Sequence, residues 1–270
     1  MKKLAVYAVL TVFAIIVILP IADMILMSFK SLAGIVGQPL SIPHHWRFSN
    51  YGLAWSEGNL LGYLINTAVV AVLSVVLIVF LSSLAAYGIA RFKFVGNQAV
   101  YLLFLAGLAL PIQMIAVPLF ILMRQLSLLD HLASVTIIYI ASGLSFSVFL
   151  LVNFIRHVPR ELEEAAFIDG ATHFQVYWHV ILPLVRPSLS TVAVLNLISA
   201  WNNFFFPLIL LNNPQRMTVA VGIMSFVGQY ATQWNLLLPA LVIVMIPTVI
   251  AFIVVSRQFV RNMMAGAVKF

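Results

Sequence analysis

Residues 160–187 read RELEEAAFIDGATHFQVYWHVILPLVRP, from Arg160 to Pro187, and the reading of the whole chain turns on them. Four of the seven acidic residues stand here, as Glu161, Glu163, Glu164 and Asp169. Strongly apolar segments lie on both sides, so the stretch is expected to be a loop on one side of a membrane. Pro159 precedes a charged run, and proline suits a helix start because its missing N–H would be unpaired there anyway. Glu161, Glu163 and Glu164 then fall in the first turns, where carboxylates favour the positive end of the helix dipole. Gly170 can adopt the left-handed conformation that ends a helix. Phe174, Tyr177, Trp178 and Ile181 follow at i, i+3, i+4 and i+7 and are expected to share one helical face. Pro183 and Pro187 then redirect the chain. The prediction is a helix, a glycine turn and an amphipathic helix at a membrane surface. Ala165 and Ala166 give the first helix a low-relief patch where another protein can approach. The plain alternative is a hairpin that only ties two membrane helices together.

Composition sets the setting. The chain has 270 residues, of which 63% are hydrophobic and 8% charged. A soluble domain is about 45–50% apolar and about 25% charged, so this is an integral membrane protein. Its net charge of +7 reads as loop topology rather than nucleic-acid binding. With no cysteine, disulfides, thiolate metal sites and cysteine nucleophiles are excluded.

Six membrane helices are expected, over about residues 4–29, 62–90, 98–123, 132–155, 188–211 and 236–255. The first apolar run is too long for a signal peptide and lacks a small-residue cleavage site. Asp23 falls near its outer end. In the second, Ser82 and Ala86 make a small-xxx-small pair suited to close packing. Pro111 and Pro118 are expected to kink the third, with Gln113 near the first break. Ser142, Gly143, Ser145 and Ser147 suit tight contacts of the fourth. In the fifth, Asn196, Ser199 and Asn203 stand at i, i+3 and i+7, and Pro207 frees the carbonyl of Asn203. Such a face lines a transport path or holds helices together by hydrogen bonds. With the amino terminus inside, ten basic residues fall inside (Lys2, Lys3, Arg91, Lys93, Arg156, Arg160, Arg186, Arg257, Arg261, Lys269) and four outside (Lys30, Arg47, Arg124, Arg216). Both termini and residues 160–183 are then cytoplasmic.

Several chemistries find no support. There is no G-x-x-x-x-G-K-[ST] run to hold ATP and no H-E-x-x-H. His44 and His45 are adjacent, so their side chains diverge, and His173 and His179 fall on different sides of a helix. Gly143-Leu144-Ser145 has no mid-membrane histidine to activate the serine. Asp23 alone cannot support a two-acid intramembrane protease.

The central stretch resembles the EAA loop of binding-protein-dependent ABC importer permeases. That motif reads Glu-Ala-Ala, three residues, Gly, nine residues, a hydrophobic residue and Leu-Pro. Here it is Glu164-Ala165-Ala166, Gly170, Val180 and Leu182-Pro183, with Val180 where the family usually has Ile. Asp169 and Pro187 resemble the sugar-importing branch. So do Ser82–Phe94 (SSLAAYGIARFKF), Trp201-Asn202-Asn203-Phe204 and the terminal Gly266-Ala267-Val268-Lys269. Asn203 stands where the family often has an acid, and Phe270 replaces a common closing glycine.

What the resemblance implies is an all-α type I importer permease with six transmembrane helices. Glu163, Glu164, Ala165, Ala166, Asp169, Gly170 and Pro183 would form the loop that docks on a cytoplasmic ATPase. Gly266, Ala267, Val268 and Lys269 would reach into the ATPase dimer. The chain itself would bind no cofactor and catalyse nothing, and ATP and Mg would be held by the ATPase partner. Further partners would be a second, paralogous permease subunit, an extracytoplasmic sugar-binding protein and the sugar, in the bacterial inner membrane. Read from the residues themselves and not from the resemblance, Asn196, Ser199, Asn203 and Gln113 are the expected translocation path. Residues 1–61 are expected as a first helix with an external loop, 62–260 as the permease core with the loop 160–183, and 261–270 as a cytoplasmic tail. A secondary transporter driven by an ion gradient is the alternative. It calls for a buried ionisable relay that the helix centres lack. A structural scaffold would leave the asparagines without function.

Overall fold

The computed structural model describes residues 2–228 and 232–267, with side chains for 3, 4, 6–228 and 232–253. In chain order the helices are α1 Lys2–Ser28, α2 Leu32–Gly37, α3 Ser49–Glu57, α4 Leu60–Arg91 and α5 Asn97–Ala109. Then come α6 Ala116–Gln125, α7 Leu132–His157, α8 Glu161–Ile168 and α9 His173–Leu184. The chain ends with α10 Arg186–Asn202, α11 Phe205–Leu210, α12 Val219–Gly222 and α13 Trp234–Ala267. Among the described residues four helices are long and apolar enough to cross a membrane, and six spans result if each of two bent pairs is one span.

The prolines act through the local backbone. Instead of a kinked third helix, α5 and α6 are separate and meet at 89°. Leu110 precedes Pro111 and is extended (φ −94°, ψ 116°), because the proline ring disfavours helical backbone before it. Pro118 lies in the first turn of α6, where an N–H has no helical partner to lose. The fifth helix also differs from expectation. It ends at Asn202, Asn203 is extended, and the short α11 follows. Asn203 Oδ1 accepts the Phe206 N–H at 3.3 Å, so a polar side chain starts the new helix that contains Pro207.

The chain divides into two compact units. One comprises the chain up to Leu64 with Thr218–Pro247, the other Ile65–Met217 with the chain from Thr248 onward. In the first, the loop after α1 is folded around polar anchors. Lys30 is buried, and its Nζ donates to the carbonyls of Gln38 (2.9 Å) and Pro39 (2.6 Å). Asn50 Nδ2 donates to the carbonyls of Ser28 and Lys30, both at 2.9 Å. The Phe29 ring stands 5.1 Å from each of Trp46, Phe48 and Tyr51.

The second unit has two apolar cores. One gathers Ile78, Ala86, Val148, Leu151, Ile155, Tyr177, Ile181 and Val192 and so ties α4, α7, α9 and α10 together. The other gathers Val70, Val135, Ile138, Phe206 and Leu210. Small residues allow close approach, as expected. Ser82 and Ala86 are fully buried, and a Cβ on Gly143 would collide with Ile78 and with Asn196 Oδ1. At one end, Asp130 (φ 60°) accepts hydrogen bonds from the backbone N–H groups of Asn212 and Asn213, and Arg216 Nη1 donates to its carbonyl at 2.7 Å. These two N–H groups, then the nearby Arg216, hold the Asp130 carboxyl below its usual range.

Candidate functional site

The stretch 160–187 folds as the helix–turn–helix its spacing predicts. Gly170 is left-handed (φ 83°), Gly170 N–H donates to the Phe167 carbonyl and Ala171 N–H to the Ala166 carbonyl. That pair of bonds is a Schellman turn, which satisfies carbonyls that the end of α8 leaves unpaired. Thr172 then starts α9 with a capping box. Gln175 N–H donates to Thr172 Oγ1 (3.3 Å), and Thr172 N–H to Gln175 Oε1 (2.8 Å). The T-x-x-Q spacing was a legible signal for it.

The expected shared face of α9 is divided in the structure. Tyr177 and Ile181 are buried with Val176 and Val185, whereas Phe174 and Trp178 are exposed. The rings of Phe174, Tyr177 and Trp178 still stand side by side, and from Tyr177 the helix widens into a π-helical turn over Tyr177–Ile181, with Leu182 N–H donating to the Tyr177 carbonyl. Widening a turn shifts the buried positions to i and i+5, hence Val176 with Ile181. Pro183 lies just beyond, where it cannot donate to the His179 carbonyl.

Polar and ionic contacts fix this hairpin to α4. Arg91 Nε and Glu163 Oε1 form an ion pair with both side chains almost fully buried (7% and 8% exposed). Arg91 Nη2 also donates to the Val158 carbonyl at 2.7 Å, which ties the end of α7 to the same guanidinium. Ser83 Oγ donates to the Phe80 carbonyl (2.9 Å), so in its 2.7 Å contact with Tyr177 the tyrosine hydroxyl donates. The His173 ring packs edge-on against Phe92 (5.0 Å) and Phe167 (4.8 Å). Arg91 with Glu163 and Ser83 with Tyr177 are pairings the sequence pattern does not give, since the partners lie far apart along the chain.

Of the residues assigned to docking, Glu163 points inward and Ala166 packs against the core. Glu164, Ala165, Asp169, Gly170 and Pro183 are exposed. The outer side of α8 is largely apolar, with Leu162 45% and Ile168 86% exposed. Of the tail residues, Val268 and Lys269 lie outside the described residues. Gly266 and Ala267 are described only as backbone at the end of α13.

The other candidate residues converge. Gln113, Asn196, Ser199 and Asn203 line one cavity of about 310 Å³, together with Tyr139 and Ser142. Asn196 Nδ2 donates to Ser147 Oγ (3.0 Å) on α7 and to the Val192 carbonyl (2.9 Å). Asn196 therefore joins two helices and lines the cavity at once. Tyr139, which the spacing does not pick out, is 5% exposed, and its hydroxyl has no hydrogen-bond partner among the described residues.

Comparison with known proteins bears on the family and the fold. The model of the family described as binding-protein-dependent transport system inner membrane component matches residues 78–264. The diacetylchitobiose uptake system permease protein NgcG of Streptomyces coelicolor is 33% identical, over 96% of this chain and 87% of its own length. The arabinooligosaccharides transport system permease protein AraQ of Bacillus subtilis is 29% identical, over 93% of this chain and 90% of its own. A chain of the bacterial ABC transporter involved in import of the acidic polysaccharide alginate superposes with TM-score 0.84 at 25% identity, covering 95% of this chain and 96% of that one. By family model, by relatives and by a helical fold with several apolar spans, the chain belongs to the inner-membrane components of binding-protein-dependent transport systems.

Proposed function

We propose that the chain is one permease subunit of an ABC importer for a carbohydrate, with α8 and the Gly170 turn as the element that docks on a cytoplasmic ATPase. The carrying observation is that α8 is anchored by its inner side and left exposed on its outer side. Glu163 and Ala166 face the core, while Leu162, Glu164, Ala165 and Ile168 face outward. An exposed apolar strip on a firmly anchored helix suits a protein partner. The relatives act on diacetylchitobiose and arabinooligosaccharides and the similar structure on alginate, which supports a saccharide as substrate.

In this reading the six spans are the four long helices, the bent pair α5 with α6, and α10, with α9 left in the hairpin at the membrane surface. The excess of basic residues puts both termini and the hairpin in the cytoplasm. The permease core is residues 62–260, preceded by a first helix with external loop and followed by the tail 261–270. The second permease subunit is a paralogue, an extracytoplasmic protein delivers the sugar, and ATP with Mg is bound by the ATPase alone. Closure of the ATPase dimer moves α8. Because Arg91 and Tyr177 bind the hairpin to α4, that motion passes into the helix whose Ile78 lines the polar cavity. Gln113, Asn196, Ser199 and Asn203 line the path, and Gly266–Lys269 make a further contact with the ATPase.

The docking claim has a direct test. The chain has no cysteine, so Ile168→Cys gives a single thiol on the outer side of α8. A cysteine-directed photo-cross-linker placed there is expected to capture the ATPase subunit in membranes that contain the whole complex. Capture of lipid or of the second permease alone would overturn the assignment.

A further inference from the structure

The turn from α4 to α5 carries a surface that the docking of α8 does not use. Residues 92–95 read Phe-Lys-Phe-Val and follow directly on the spanning helix α4. The turn is held in shape by its own polar groups. Asn97 Nδ2 donates to the carbonyls of Ile89 (3.1 Å) and Phe92 (2.8 Å), and Gly96 is left-handed (φ 91°). The Phe92 ring packs edge-on against Tyr87 (5.5 Å) and His173 (5.0 Å). Lys93, Phe94 and Val95 then project, with Phe94 47% and Val95 104% exposed.

Beside this turn lies an open groove of about 920 Å³, lined by the end of α4, the start of α5 and Arg160 at the head of α8. Three of its lining residues are basic (Arg91, Lys93 and Arg160) and none is acidic. Glu163 compensates Arg91. Lys93 and Arg160 are exposed and form no ion pair among the described residues. Two positive charges therefore line the groove without a counter-ion. The rest of its wall is largely apolar, and Leu102 of α5 is 51% exposed within it.

This combination selects one kind of occupant. Exposed Phe94, Val95 and Leu102 favour an acyl environment, whereas Lys93 and Arg160 favour anions. A groove at the end of a spanning helix lies at the depth of lipid headgroups, where basic pockets hold anionic ones. A phospholipid supplies the anion and the acyl chain in one molecule. The outer side of α8 is different, because its apolar strip is accompanied by the exposed carboxylates of Glu161 and Glu164.

We infer that this groove binds an anionic phospholipid of the cytoplasmic leaflet, its phosphate taken by Lys93 and Arg160 and its acyl chains lying along Phe94, Val95 and Leu102. The choice of leaflet rests on the orientation proposed above, and the lipid chemistry rests on the groove alone. Because Arg160 is the residue from which α8 starts, the bound lipid also fastens the head of that helix to the α4–α5 turn.

The test uses the complete complex in vesicles of equal phosphatidylglycerol and phosphatidylcholine. Val95→Cys gives the chain a single thiol, and a cysteine-directed photo-cross-linker there is expected to capture phospholipid, identified by the mass added to the chain. Phosphatidylglycerol should be captured roughly five- to thirtyfold over phosphatidylcholine, since each basic side chain near the surface contributes about a fivefold factor. Lys93→Gln or Arg160→Gln, added singly, should each lower the ratio about fivefold. The two together should bring it to about one, whereas Lys93→Arg should keep it. Equal capture of the two lipids by Val95→Cys alone, or a preference that survives the double substitution, would overturn the inference. Capture of the ATPase or of the second permease in place of lipid would do the same. Reaction of Val95→Cys in intact cells with a thiol reagent that cannot cross the membrane would overturn the leaflet. Positions 95 and 168 are probed in separate samples, so failure to capture the ATPase at 168 with the lipid preference intact at 95 would count against the importer reading alone.

Discussion

Arg91 and Glu163 are withdrawn from water together, and such a pair gains little net stability over apolar side chains of the same size. Removing one partner is different, because it strands the other charge. Glu163→Ala is expected to destabilise the hairpin by about 3–5 kcal/mol, while the double variant Arg91→Met with Glu163→Leu should recover most of the loss. Thermal unfolding of the purified complex, with limited proteolysis at 160–172, measures both. Equal losses in the single and double variants would mean that the pair does not anchor α8. Asp130 behaves oppositely, as an exposed carboxylate held by backbone N–H groups. Its folded pKa lies below the ordinary 3.8, so its stabilisation is present above that value and fades as pH falls through the lower folded pKa. Wild type and Asp130→Asn should therefore differ by a constant amount in unfolding temperature from pH 7 to 5 and converge only in strong acid. Neither residue could be ranked from sequence. Glu163 reads like its exposed neighbours Glu161 and Glu164, and only the path of α4 past α8 gives it Arg91.

At the scale of elements, local signals were legible where the backbone itself carries them. The left-handed Gly170, the capping position of Thr172 and the break before Pro111 all follow from one residue's φ and donor count. Gly170→Ala meets no neighbouring atom within 4 Å, so it should cost only the left-handed strain, about 1 kcal/mol in thermal or denaturant unfolding. A loss several times larger would mean that the turn is packed rather than open. What was not legible is the winding of α9. A 3.6-residue period puts Phe174, Tyr177, Trp178 and Ile181 on one face, but the buried side of α9 runs through Val176, Tyr177 and Ile181, with the π turn at Tyr177–Ile181 keeping Ile181 on it while Phe174 and Trp178 stay exposed. Tyr177 packs against Ser83 and Tyr87 where the helix widens, and no sequence period encodes that widening. The end of α10 at Asn202 escaped for a similar reason. Pro207 marks an interruption somewhere, and the Asn203 side chain decides where.

For the molecule as a whole, composition and motif spacing carried furthest. An apolar content of 63% already required a membrane, and the motif spacing from Glu164 to Pro183 already pointed to the family. The cavity was half legible: the spacing groups Asn196, Ser199 and Asn203, which do line it although Asn203 lies just past the helix end, but Tyr139 and Ser142 join them only through the packing of α7. The central claim is that exposed α8 carries the energy of ATP hydrolysis into a hairpin fixed to α4. Its most direct test is uptake and ATP hydrolysis by Glu164→Lys in proteoliposomes with the binding protein and a sugar the wild type imports. Glu164 is exposed, so the variant should fold and insert normally while its contact with the ATPase is lost. Sugar-stimulated hydrolysis and uptake are predicted to fall together to background, and wild-type uptake would contradict the account.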